Sequence, residues 1–222
     1  MMKYIDVHTH KANHQPDVIA ILNFRAGVPV SEELVSERAS FGIHPWDSEV
    51  ILFSEVKDEI NRFKHLFAIG ECGLDKNISV PFKIQKQGFV NQIELCEAIQ
   101  KPLIIHCVGM FNEIMDLKRS IKPSQTWIIH GFAGHPQLAS QLIKENFILS
   151  FGKSIFKMGS KVVDSFKMLP AGSFFLETDE SQKTIQEVYA QASILRNEEI
   201  NSLKSLLYNQ FRTLFKQKDG VD

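Results

Sequence analysis

Apolar residues fall along this chain in two alternating rhythms. Short runs rich in β-branched and aromatic side chains recur at "YIDV" (4–7), "VIAIL" (18–22), "ASFGI" (39–43), "LFAIG" (66–70), "PLIIH" (102–106), "TWIIH" (126–130), "FILSF" (147–151) and "SFFLE" (173–177). Several are apolar throughout, as strands buried on both faces should be. Between them lie stretches of helical period, such as 85–99, where Phe89, Ile93, Cys96 and Ile99 recur at spacings of three and four. A final stripe of Ile200, Leu203, Leu207, Phe211 and Leu214 predicts a closing helix, with Asn197 as its N-cap ahead of Glu198 and Glu199. Strands alternating with helical crossovers predict a parallel sheet and an α/β fold. The connections near 11–17 and 23–38 are too short or too broken for full helices, so a barrel built this way is trimmed after its first two strands. No Pro/Gly/Ser-rich linker and no fixed-period repeat divides the chain, and 1–222 is expected to form a single domain.

The polar residues add a positional signal. "LFAIG" runs into Glu71, "PLII" ends at His106, "TWII" at His130, "SFFLET" leads into Asp179, and "YIDV" leads into His8 and His10. In a closed parallel barrel all strand C-termini meet on one face, so these scattered residues are expected around one mouth. His8 and His10 are two apart on an extended segment, where side chains repeat with period two, so one metal ion can be gripped by both. Imidazole suits Zn, and carboxylates shift preference toward Mn or Mg, so four histidines with a Glu and an Asp make a mixed set for a divalent ion, Zn, Mn or Mg. Six ligands exceed the need of one open catalytic ion and match two ions sharing a carboxylate. Taken singly, each has a plainer role: Glu71 as a helix-first-turn acid, Asp179 as an N-cap, a strand-end histidine as a satisfied core group. Their shared position at strand ends favours the metal site.

"GIHPW" sets His44 at the same mouth, where it can contact substrate. Lys11, Arg25, Lys76 and Lys153 follow strands closely and are expected on that face, among acids such as Asp47 and Glu180. His14, His65 and His135 fall in connecting segments or at helix starts and are read as solvated, Cys107 is read as an inert buried thiol, and Cys72 is given no role.

Composition narrows the partners. The length of 222 residues suits one α/β barrel or one large doubly wound domain. A formal net charge of -1 gives no global attraction to nucleic acid, so a nucleic-acid role must rest on local groups or on bound metal. The 3 cysteines show no CxxC spacing and suggest neither a disulfide framework nor a zinc ribbon. Polar residues interrupt the N-terminus and no run approaches ~18 apolar residues, so a cytoplasmic chain without membrane contact or obligate protein partner is expected.

In order, "DVHTH", "GIHPW", "GECGLD", "KPLIIHC", "WIIHGFAG", "LETDE" and "NQFRTLF" resemble the TatD family of metal-dependent deoxyribonucleases, a branch of the amidohydrolase-like TIM barrels. The resemblance implies a compact or slightly distorted (β/α)8 barrel holding two divalent ions. It puts His8 and His10 on the first ion and His106 and His130 on the second, with Glu71 bridging and Asp179 completing the first site. It further implies that Asp179 orients or deprotonates the attacking water, that His44 contacts the substrate phosphate, and that the substrate is DNA or a small phosphodiester. The chain departs from the family at "ETDESQK", where a small residue and proline usually follow the Asp, and at "VGM" after "IIHC", where an arginine is common. An amidohydrolase acting on an amide, lactone or phosphoester is the rival enzyme. Many of those bridge their metals with a carboxylated lysine at a strand end, whereas Lys101 stands at a strand's beginning. A non-catalytic metal-binding protein is a third reading.

Overall fold

The computed structural model describes residues 2–215. Among them are eight strands: β1 (Tyr4–Thr9), β2 (Val18–Arg25), β3 (Arg38–Gly42), β4 (His65–Asp75), β5 (Leu103–Val108), β6 (Trp127–Ile129), β7 (Phe147–Phe151) and β8 (Phe174–Leu176). They form one sheet in chain order, with parallel pairing, the topology of a (β/α)8 TIM barrel. The expected trimming is present. β1 joins β2 without a helix, and only a 3-10 turn, Leu34–Ser36, lies between β2 and β3. The β3–β4 connection carries a 3-10 turn at Pro45–Asp47 and the short α1 (Phe53–Glu59). Fuller helices follow: α2 (Phe82–Ile99), α3 (Phe111–Ile121), α4 (Pro136–Lys144), α5 (Lys161–Met168), α6 (Ile185–Arg196) and α7 (Ile200–Leu214).

The periodic stripes face inward, Phe89, Ile93 and Cys96 on α2 and Leu203, Leu207 and Phe211 on α7 being buried. Asn197 corrects the expectation for the closing helix. It is the C-cap of α6, in the left-handed region at φ 51, and the residue before α7 is Glu199, which makes no side-chain cap. Asparagine serves either end of a helix, and here its tolerance of positive φ decides the matter. Asp179 is likewise no helix cap, since Thr184 caps α6 through a reciprocal capping box with Glu187.

The chain divides into two compact units, Met1–Ala20 with His130–Asp222, and Ile21–Ile129. In the first, β8 lies against β1: the Asp179 N–H donates to the His8 carbonyl at 2.9 Å and the His10 N–H to the Asp179 carbonyl at 3.3 Å. The Asp6 carboxylate accepts the Thr178 N–H at 2.9 Å and its hydroxyl at 2.7 Å, fixing where the chain leaves β8. A run of rings, Phe132, Phe151, Phe166 and Phe174, fills this core with successive centroids 5.5, 5.0 and 5.2 Å apart.

In the second unit, α2 turns two buried glutamines toward the sheet. Gln92 accepts the Ile43 N–H at 2.7 Å and donates to the Ile43 carbonyl at 3.0 Å. Gln85 treats Asp75 the same way, at 2.8 and 3.1 Å. Each side chain substitutes for a strand neighbour, so the backbone leaving β3 and β4 is held where ordinary pairing ends. Among the described residues, no helix is long and apolar enough to cross a membrane.

Candidate metal centre

Glu71 sits inside β4 at an irregularity. The β4–β5 register runs from Ile69↔Leu103 to Cys72↔Ile105, so β4 has one residue more than β5 over this stretch, a β-bulge. The Glu71 N–H, displaced from the ladder, donates to Asn23 Oδ1 at 2.8 Å, and that oxygen also accepts the Ser40 hydroxyl at 2.9 Å. Two glycines make the bulge possible. Gly70 and Gly73 have φ of +133 and +147, and a Cβ there would lie 2.3 Å from the Ile104 carbonyl and 2.0 Å from that of His106. "GECG" thus brings β4 hard against β5 on either side of the carboxylate.

The result is a compact donor group in the second unit. His106 Nδ1 lies 2.8 Å from Glu71 Oε1, and His44 Nε2 lies 3.4 Å from the same oxygen. Ligand atoms of His44, Glu71 and His106 all lie within 4.8 Å of one another. The other nitrogen of His106 is 3.2 Å from Asp75 Oδ2, which also accepts the Trp46 indole N–H at 3.0 Å. Burial pushes the Asp75 carboxyl upward, but hydrogen bonds from Trp46, Asn77 and His106 outweigh it and hold the acid below its ordinary pKa. Burial lowers the His44 pKa against the opposing pull of Glu71.

The first unit gathers a second group around Asp179, whose φ of 52 turns its side chain back toward β1. Asp179 Oδ1 is 3.8 Å from His8 Nε2 and 3.6 Å from His10 Nε2. The ring of His130 lies 4.3 Å from that of His8, and ligand atoms of His8, His130 and Asp179 are again within 4.8 Å of one another. Behind His130 stands Glu177, buried, its Oε1 accepting the Gly131 N–H at 2.7 Å and lying 3.8 Å from His130 Nδ1. Burial raises the Glu177 carboxyl to about 7, opposed by His130.

Imidazole nitrogens and carboxylate oxygens at these spacings suit divalent ions that bond such donors at about 2.0–2.2 Å. Each unit on its own supplies mixed N/O donors, so the residues fit the ions implied by the sequence. An acid also stands behind each of two histidines, Asp75 3.2 Å from His106 and Glu177 3.8 Å from His130, and such outer acids are a recurrent property of metal sites. Asp75 and Glu177 were missed from the sequence as members of these groups. The alternation that pairs His8 with His10 would have flagged them, since Glu177 is two residues before Asp179 and Asp75 four after Glu71.

The basic residues are more dispersed. Arg25 is held in a two-pronged ion pair by Asp47. Lys11 donates to the Ser181 carbonyl at 3.0 Å. Lys76 and Lys153 are exposed just beyond the ends of β4 and β7. His14, His65 and His135 are exposed, but His65 opens β4 instead of lying in a connection, and His135 caps α4 through the Leu138 N–H. Burial raises the thiols of Cys96 and Cys107 to about 12 and holds that of Cys72 well above its ordinary value.

Residues 22–216 match the sequence model of a family described as TatD related DNase. The chain is 33% identical over 146 residues to YabD of Bacillus subtilis, an uncharacterized metal-dependent hydrolase, covering 64% of this chain and 57% of YabD. The uncharacterized metal-dependent hydrolase MG009 of Mycoplasma genitalium is 24% identical, with 80% of each chain covered. A putative deoxyribonuclease of mouse, TATDN3, is 28% identical over 68% of this chain and 50% of its own length. Among solved structures, the TatD homologue YjjV of Escherichia coli superposes with a TM-score of 0.82 at 22% identity, over 98% of this chain and 99% of that one.

Proposed function

Because the chain belongs to the TatD family of metal-dependent hydrolases, we propose that it hydrolyses phosphodiester bonds, with DNA as the substrate polymer. The carrying observation is the grouping of His8, His10 and His130 around Asp179 in the first unit. His8, His10, Glu71, His106, His130 and Asp179 would hold two divalent ions, with Glu71 as the bridging carboxylate. Bound there, the ions supply Lewis-acid stabilisation of charge on the phosphoryl oxygens and make water acidic near neutral pH.

The chain's own groups carry the remaining work. Asp179 Oδ1, facing the His8 and His10 nitrogens, orients the attacking water and accepts its proton. Asp75 takes the Nε2 side of His106 and so leaves Nδ1 to face Glu71 and the ion. Glu177, 3.8 Å from Nδ1 of His130, supplies negative charge on that side of the ring and leaves Nε2 as donor. His44, beside Glu71, donates to a phosphate oxygen, with Lys153 as a second contact. No side chain forms a covalent intermediate in this scheme.

The test is a hydrolysis panel on chelator-treated protein reloaded with Mg, Mn or Zn, using single-stranded DNA, a generic phosphodiester, and lactones and amides. Cleavage of phosphodiesters, lost in Asp179→Asn, is expected, with two ions per chain by elemental analysis. Turnover confined to lactones or amides would move the protein to the amidohydrolase reading. Metal binding with no turnover on any substrate would favour the non-catalytic one. Glu71→Gln should weaken both ions together, and loss of one alone argues against bridging.

A further inference from the structure

Trp46 is placed as few tryptophans are. It is 53% exposed, whereas Trp127, the other of the chain's two, is fully buried. An indole left in water forgoes a large hydrophobic gain, and an exposed large aromatic is more informative than a buried one. The ring is also fixed. Its residue follows Pro45 in the 3-10 turn, and its backbone N–H donates to His44 Nδ1 at 3.3 Å. Its indole N–H donates to Asp75. The Arg25 guanidinium lies over the ring, 5.4 Å from its centroid, and is itself clamped by Asp47. Holding Asp75 does not demand this exposure, since Asp75 also accepts the Asn77 N–H and faces His106.

The platform stands next to the candidate chemistry. The Trp46 ring is 4.7 Å from that of His44 and 6.4 Å from that of His106, centroid to centroid. We propose that Trp46 is a stacking platform for the unpaired nucleobase adjoining the scissile phosphate, selecting single-stranded nucleic acid over phosphodiesters that lack an aromatic group. This rests on the phosphodiesterase reading and names the substrate form for it. Every base offers a π-face, so stacking tolerates sequence, and one rigid aromatic contact is worth about 5- to 160-fold in affinity. A ring held in advance loses little conformational freedom when the base arrives. Electrostatics leave room for this mode of recognition. The formal net charge is -1, and Arg25, beside the platform, is already paired with Asp47. Binding through the base rather than the backbone should therefore fall only weakly with salt.

The experiment titrates metal-free protein with a short single-stranded oligonucleotide and with the same strand carrying one abasic residue. Since Trp127 is buried, quenching of tryptophan fluorescence reports Trp46. Anisotropy of labelled strands gives affinities for the parent, Trp46→Phe and Trp46→Ala. The parent should show quenching and prefer the base-containing strand by about tenfold. Trp46→Ala should lose that preference, and Trp46→Phe should keep most of it, because phenylalanine retains a ring but cannot donate to Asp75. Absence of quenching in the parent overturns the proposal. So does a Trp46→Phe protein as indifferent to the base as Trp46→Ala, which would assign the residue to holding Asp75. Metal-loaded cleavage separates the two claims. If no phosphodiester is cut, the functional reading fails while base preference in binding still supports the platform. If both strands are cut equally by parent and Trp46→Ala with no base preference in binding, the platform fails and the functional reading stands.

Discussion

Asn23 offers the sharpest test of how Glu71 is aimed. Its Oδ1 is the acceptor for both the Glu71 N–H, at 2.8 Å, and the Ser40 hydroxyl, at 2.9 Å, and all three residues are buried. Asn23→Ala removes that acceptor and leaves both donors in the sheet. An unsatisfied buried donor costs about 1–3 kcal/mol, and the hydroxyl can rotate toward another acceptor while the amide cannot. A total near 2–4 kcal/mol follows, which in a chain of this size lowers Tm by about 4–16 °C. The bulge would relax and carry the Glu71 carboxylate with it. Loss of such an orienting contact typically weakens metal binding about 10- to 100-fold. Thermal melts in chelator give the stability effect, and calorimetric titration with Mn or Zn gives the affinity. Ser40→Ala is the control, since it removes one bond and leaves the Glu71 amide satisfied. It should cost about 1 kcal/mol and barely move metal affinity. An Asn23→Ala protein that melts within about 1 °C of the parent and binds metal as tightly would refute the account of the bulge.

Two further outcomes follow from the same geometry. Gly73→Ala would set a Cβ 2.0 Å from the His106 carbonyl at a φ of +147, so a loss of about 3 kcal/mol or more is expected in urea melts, with weaker metal binding through His106. Glu97 at the end of α2 accepts the Ser124 hydroxyl at 2.6 Å and the N–H groups of Ser124 and Gln125 at 3.0 and 2.9 Å. Burial raises its carboxyl, but these bonds outweigh that and hold it below the ordinary 4.5. A depressed carboxyl adds stability above its unfolded pKa that disappears as pH falls through the folded value. Glu97→Gln should therefore cost about 1 kcal/mol at pH 7, allowing for its partial exposure, and the gap to the parent should close in melts run progressively below pH 4.5.

Apolar strands alternating with amphipathic helices carried the fold, because burial on both faces of a parallel sheet leaves a continuous apolar record. His8, His10, Glu71, His106, His130 and Asp179 were legible as candidates by the same route, since strand ends fix which face a side chain reaches. The extent of β4 was not. "LFAIG" stops where the apolar run stops, yet the strand continues to Asp75, and Glu71 lies within it. The continuation depends on Asn23 and Gln85, whose amides satisfy backbone groups at Glu71 and Asp75. Such long-range side-chain to backbone bonds leave no periodic trace. Asn197 shows a related ambiguity, since its type suits both helix ends and only the backbone conformation decides.

The first unit joins the N-terminal twenty residues to a segment that begins at His130. Asp6 and Thr178, which lock β1 to β8, are 172 positions apart. At about 5–20 residues per second, a ribosome needs roughly 10–30 s to make the chain between them. During that interval the newborn HxH strand has emerged without Thr178 to anchor it or Asp179 to face it. Its apolar residues Ile5 and Val7, buried in the finished protein, are then accessible to chaperones. Assembly of this unit's candidate donor group is thus a late event in the making of each chain, timed by translation of the stretch that carries Thr178 and Asp179.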